Sequence, residues 1–74
     1  MDLYGKQHKQ LVEKIKKARI EASLSQEELA EKLNKTQSFL SKVENGQVKI
    51  DAILLKELSK ILNKNVNHFL EDLE

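Results

Sequence analysis

The chain contains no Pro and only two Gly, at positions 5 and 46. These are the residues that most strongly break or end helices, so little interrupts helical backbone along most of its length. Strand signals are missing too. There is no sustained apolar–polar alternation, and the aromatic residues are only Tyr4, Phe39 and Phe69. Leu, Ile, Val and Phe supply 23 of the 74 residues, well above the roughly one-fifth below which a chain stays disordered. A chain this short holds one core and not two. The expectation is an all-α fold, a compact bundle of short helices forming a single domain over 1–74.

Periodicity and capping residues place the helices. Leu11, Ile15, Ala18 and Ala22 recur at helical spacing and predict a first helix over about 7–22, with 1–6 as a flexible N-terminus. Ser25-Gln26-Glu27-Glu28 reads as a capping box. The Ser25 hydroxyl can accept from the Glu28 N–H while the Glu28 carboxylate reaches back to the Ser25 N–H. It opens a short helix carrying Leu29, Ala30 and Leu33 inward. Asn34-Lys35 then break the chain, Asn being one of the few non-Gly residues that tolerate the left-handed region. Thr36 caps a third helix through about Glu44, with Leu40 and Val43 inward, and Asn45-Gly46 ends it. Asp51 caps a fourth helix over about 52–62 and Asn65 a fifth over about 66–72.

Several function classes are excluded at this level. There is no Cys, hence no disulfide framework, thiol nucleophile or Cys-based zinc site. No apolar run approaches the ~18–20 residues of a membrane span, and the N-terminus lacks the pattern of a secretory signal. The chain is expected to be complete from its own Met and to work in the cytoplasm. His8 and His68 stand far apart without companion ligands and read as surface or capping residues, not metal ligands. No Gly-rich phosphate loop, G-x-S-x-G or H-E-x-x-H occurs. Catalysis, cofactor, metal and small-molecule substrate are therefore not expected.

The net charge of +1 hides an asymmetry. Residues 1–23 carry six basic side chains against three acidic, 24–50 four of each, and 51–74 three against five. Within 34–49 there are three Lys and one Glu, so this stretch is locally basic although the whole is nearly neutral.

Two short helices joined at Leu33-Asn34-Lys35-Thr36 describe a helix-turn-helix over about 25–45. The residues sharpen it. Leu24-Ser25-Gln26-Glu27-Glu28-Leu29-Ala30, followed by Thr36-Gln37-Ser38-Phe39-Leu40-Ser41-Lys42-Val43-Glu44-Asn45-Gly46, closely resembles the lambda repressor/Cro-like (XRE-type) helix-turn-helix family. The resemblance runs from about Ile15 to Phe69. It departs from the family pattern at Asn34, where Gly is commoner in the turn, and at Lys64, where a small apolar residue is usual.

That resemblance implies a DNA-binding transcriptional regulator of double-stranded DNA, of bacterial or phage origin and nucleoid-associated. The major groove, ~12 Å wide, admits one helix whose N-terminal residues meet base edges. Gln37, Ser38, Ser41 and Lys42 share adjoining parts of one exposed face of the helix 37–44. A Gln amide matches adenine N6 and N7, and a Lys can donate to guanine O6 and N7. The resemblance points to Gln37, Ser38 and Lys42 as base readers and to Ser41 as a base or backbone contact. It also implies that Gln26 contacts phosphate and braces Gln37, with Lys35, Thr36, Asn45 and Lys49 as further phosphate contacts. Arg19, the only Arg among thirteen basic side chains, is implied to pair with Glu44, structurally and not as a reader. Phe39 is expected to pack before it meets any thymine methyl.

Ile53, Leu55, Leu58 and Leu62 fit the core by resemblance. Leu54, Ile61, Leu70 and Leu73 are then surplus, and read as a homodimer interface made by the fourth and fifth helices. The competing explanation is a larger core that takes in Leu3 and Tyr4. A dimer suits the reading of a palindrome, since two recognition helices ~34 Å apart enter successive major grooves. The expected role is a repressor or autoregulator. The alternative is a protein-interaction module that keeps the fold but binds a protein partner, as an antitoxin-like protein would, with little or no DNA binding.

Overall fold

The computed structural model describes residues 3–73 and contains α1 (Lys6–Glu21), α2 (Gln26–Lys32), α3 (Gln37–Glu44), α4 (Ala52–Ile61) and α5 (Val66–Leu70). Among the described residues there is no strand. Met1 and Asp2, part of the expected flexible N-terminus, lie outside them. From Leu3 onward the N-terminal segment is bonded: the Leu3 N–H donates to the Gly46 carbonyl at 3.0 Å.

Each N-cap foreseen from the sequence is present. Ser25 Oγ accepts from the Glu28 N–H at 3.0 Å and the Ser25 N–H donates to Glu28 Oε1 at 2.9 Å. The Ser25 N–H holds the Glu28 carboxyl below the ordinary carboxylate range, with further lowering by the Ser25 hydroxyl and Lys32. Thr36 caps the Phe39 N–H, Asp51 the Leu54 N–H and Asn65 the Asn67 N–H.

The C-termini share one device. After α1, α2, α3 and α4 comes a residue with positive φ: Ser23 at 59°, Asn34 at 60°, Gly46 at 75° and Asn63 at 56°. In each case the next N–H reaches back five residues, as in Leu24 to the Arg19 carbonyl (3.1 Å) and Gln47 to the Lys42 carbonyl (2.9 Å). This is the Schellman arrangement, which satisfies carbonyls the helix leaves open. Only one of the four positions is Gly. Asn tolerates the left-handed region better than other L-residues, and Ser lacks that latitude. Ser23→Gly should therefore stabilise the domain by ~0.5–1 kcal/mol, and Asn34→Gly or Asn63→Gly by less. Urea midpoints of the three variants check the ranking.

The core is a single cluster to which every helix contributes. α1 supplies Leu11, Val12, Ile15 and Ala18, α2 Leu29 and Ala30, α3 Leu40 and Val43, α4 Leu54, Leu55 and Leu58, and α5 Phe69. Each interhelical segment adds a side chain to it or against it, Leu24, Leu33, Val48, Ile50 and Leu62 among them. α3 packs on both α2 and α1, so its inner side is held from two directions while the outer side faces away.

Two expectations are corrected on α4. Leu54, taken as surplus for a dimer, is core at 8 % exposure, whereas Ile53, assigned to the core, is 72 % exposed. The register explains the exchange. Leu54, Leu58 and Leu62 stand four apart on the row packed inward, while Ile53 shares its row with exposed Glu57. The larger-core explanation thus holds for Leu54 but not for Leu3 and Tyr4, which are exposed. Of the other interface candidates, Ile61 and Leu73 are half-buried against the core and Leu70 is exposed. α5 ends at Leu70, two residues short of its expected limit, where Glu71 turns extended and Asp72 takes a φ of 58°.

Candidate nucleic-acid interface

The turn between α2 and α3 is built by local chemistry alone. Asn34 adopts the left-handed conformation and Lys35 donates its N–H back to Ala30. Thr36 then goes extended and accepts the Phe39 N–H through Oγ1 at 3.0 Å. Leu40 and Val43 anchor the inner side of α3. Gln37, Ser38 and Lys42 are consequently exposed, and Ser41 is half-buried beside them. These four are the side chains expected to read bases, and the fold presents them from one helix.

Behind this surface lies a polar network that fixes α3 against α1 and α2. Arg19 Nε donates to Glu44 Oε2 at 2.8 Å and Arg19 Nη2 to Glu44 Oε1 at 3.1 Å. The fork-on-fork geometry is available to Arg and not to Lys. Arg19 Nη1 donates to the Leu24 carbonyl at 2.8 Å, tying in the α1–α2 connection. Gln26 Nε2 completes the shell on Glu44 Oε1 at 3.0 Å. The Arg19 and Glu44 side chains are only 10 % and 2 % exposed. Gln26 was expected to brace Gln37; its amide instead donates to Glu44, about two turns further along α3. The resemblance placed Gln26 beside α3 without showing which α3 residue it would meet.

The electrostatic consequence is direct. Glu44 is the only carboxylate within 34–49, and it is buried against a guanidinium. The charges which that stretch shows to solvent are Lys35, Lys42 and Lys49, all exposed. Acid borders this stretch on two sides: Glu27 and Glu31 line the groove shared with Lys35 and Gln37, and Asp51 and Glu57 the groove shared with Lys35 and Lys49. Lys35 Nζ lies 5.5 Å from the centroid of the Phe39 ring, a cation–π contact. Phe39 itself is half-buried against the core, in line with packing. Thr36 and Asn45 stand exposed at the two ends of α3, and the capped Thr36 hydroxyl keeps its own proton to donate.

The two imidazoles have separate surroundings. His68 lies edge-on to Phe69. His8 accepts the Ile50 N–H through Nε2 at 3.0 Å, a contact across 42 positions for which the sequence holds no local signal. Among the described residues no group of three His, Cys, Asp or Glu is placed to hold a metal ion, and no helix is long and apolar enough to cross a membrane.

Comparison with known families finds a match to one described as helix-turn-helix, over residues 15–69. That span runs from the core Ile15 of α1 to the core Phe69 of α5 and takes in the whole interface. No curated protein matches the chain.

Proposed function

The chain belongs to the lambda repressor/Cro-like helix-turn-helix family, whose members are DNA-binding regulators, and from that premise we propose that it is a dimeric repressor or autoregulator of a palindromic operator. The observation that carries this reading is the outer face of α3 and the loop after it. Its one carboxylate is turned inward onto Arg19, so the outward charges are all cationic. Gln37, Ser38 and Lys42 choose the site through base edges, with Ser41 at the margin. Gln26, Lys35, Thr36, Asn45 and Lys49 hold phosphates, which fixes register and supplies salt-dependent affinity but little sequence information.

The molecule measures 30 × 24 × 21 Å. Two copies side by side can thus set α3 into successive major grooves, about 34 Å apart. The second copy docks through the α4–α5 side, where the exposed apolar side chains are Leu70 and, in place of Leu54, Ile53, with Ile61 and Leu73 beneath. The protein acts in the cytoplasm by occupancy of its operator.

Titration of the protein against its own upstream DNA and a scrambled duplex, at two salt concentrations, tests the reading. The native fragment should bind two chains per site, preferentially and with a steep salt slope. Gln37→Ala and Lys42→Ala should each weaken specific binding by ~1–3 kcal/mol, while Lys49→Ala should weaken both duplexes alike. Equal losses on both duplexes for Gln37→Ala would remove it from the base readers. Absence of binding even at low salt would favour the interaction module, with the α4–α5 side as its docking surface.

A further inference from the structure

We propose that His8 is a positioning residue for this interface: its Nε2, by accepting the Ile50 N–H, holds the 46–50 loop so that Lys49 is presented to the DNA backbone. The proposal rests on the phosphate role given above to Lys49.

The segment from Gly46 to Ile50 lies between α3 and α4 and has no helical ladder of its own. Its backbone polar groups must therefore find partners elsewhere. Two of them find partners at or just before the start of α1. The Gly46 carbonyl accepts the Leu3 N–H at 3.0 Å, and the Ile50 N–H donates to His8 at 3.0 Å. The loop is thus held at both ends by one short piece of chain, residues 3–8. Gly46 and Ile50 are buried and Val48 half-buried, while Lys49 is exposed between the last two.

His8 is suited to this task because only an unprotonated ring nitrogen can accept. The Tyr4 ring lies 5.1 Å from the imidazole at 62°, edge to face. Ile50 adjoins Asp51, the N-cap of α4, so the peptide that carries this N–H lies between Lys49 and a fixed helix start. Without the acceptor, the Lys49–Ile50 peptide loses its one bond to α1, and the phosphate contact is no longer held in register. α3 is unaffected in this scheme, because Arg19 and Glu44 fix it independently.

The test is a double-mutant cycle between His8→Phe and Lys49→Ala, with His8→Gln as the conservative rescue. Phe keeps a ring against Tyr4 but offers no acceptor, and Gln offers an amide oxygen. His8→Leu is a second variant lacking the acceptor should His8→Phe not fold. His8→Phe is expected to lower affinity for native and scrambled duplexes by the same several-fold factor and to reduce the salt slope by about one unit. On the Lys49→Ala background it should cost nothing more. His8→Gln should bind as the parent does. Exchange of the Ile50 amide should quicken in His8→Phe and not in His8→Gln.

Additive losses from His8→Phe and Lys49→Ala would overturn the positioning role. So would unchanged affinity in His8→Phe while the Ile50 amide exchanges faster. A Lys49→Ala variant that binds like the parent would instead overturn the proposal at its premise, the phosphate role of Lys49, and is told apart by that single measurement.

Discussion

Glu44→Ala is expected to destabilise the domain by about 3–5 kcal/mol, the range for stranding one partner of a buried ion pair. The figure is large against a total stability on the order of 4–11 kcal/mol for a chain of this length. Three donors converge on the Glu44 carboxylate: Arg19 Nε, Arg19 Nη2 and Gln26 Nε2. Removing it leaves a guanidinium at the α1–α3 contact with one remaining partner, the Leu24 carbonyl. Exposed pairs are worth only ~0–1 kcal/mol, so a urea-measured loss under 1 kcal/mol would show that solvent reaches Arg19 and that the pair does not organise this contact.

The double variant Arg19→Met with Glu44→Leu sharpens the point. It removes both charges while keeping apolar volume, and such replacements are often neutral or stabilising. Recovery of stability in the double variant would mean that the ion pair specifies how α3 sits and is not the source of net stability. Its loss should then appear in DNA binding: Gln26 is left without its acceptor, and the register of Gln37 and Lys42 is no longer locked to α1.

The sequence made the helices legible because their signals are local. The capping box at Ser25–Glu28, the caps at Thr36, Asp51 and Asn65, and the left-handed Asn34 and Gly46 all follow from chemistry within a few residues. Ser23 and Asn63 take the same left-handed position without having been foreseen. Ser carries no strong signal for it, and Asn63 sits in a polar run that could have turned anywhere. The misassignment of Ile53 and Leu54 is of another kind. The apolar residues on α4 were too numerous to sort by count, yet the row containing Ile53 and Glu57 already marked the outer face. Ser59 hid by the opposite route: a polar residue at a core position, it satisfies its hydroxyl on the Leu55 carbonyl at 2.7 Å. The Arg19–Glu44 pair was accessible only through family resemblance. The His8–Ile50 bond was accessible through nothing, since two ordinary residues 42 positions apart leave no pattern.

Phe69→Ala should also cost about 3–5 kcal/mol, the range for truncating a buried Phe. At ~4–8 °C per kcal/mol for a domain of this size, the melting temperature should fall by on the order of 12–40 °C. The reason lies in α5, which has five residues, too few to persist as a helix on propensity alone. Phe69 is fully buried, whereas Leu70 is 45 % exposed and Val66 only half-buried, so one ring supplies most of what holds α5 to α1 and α4. Amide exchange distinguishes two ways of paying that loss. If α5 comes away alone, its amides and those of the α4 C-terminus lose protection while α2 and α3 keep theirs. Base discrimination by Gln37 and Lys42 should then survive, and pairing of two chains through the α4–α5 side should weaken. If protection falls everywhere by the same amount, Phe69 is integral to one cooperative core. The shared packing partner α1, which contacts both α3 and α5, then couples the dimer side to the DNA side through a single hydrophobic cluster.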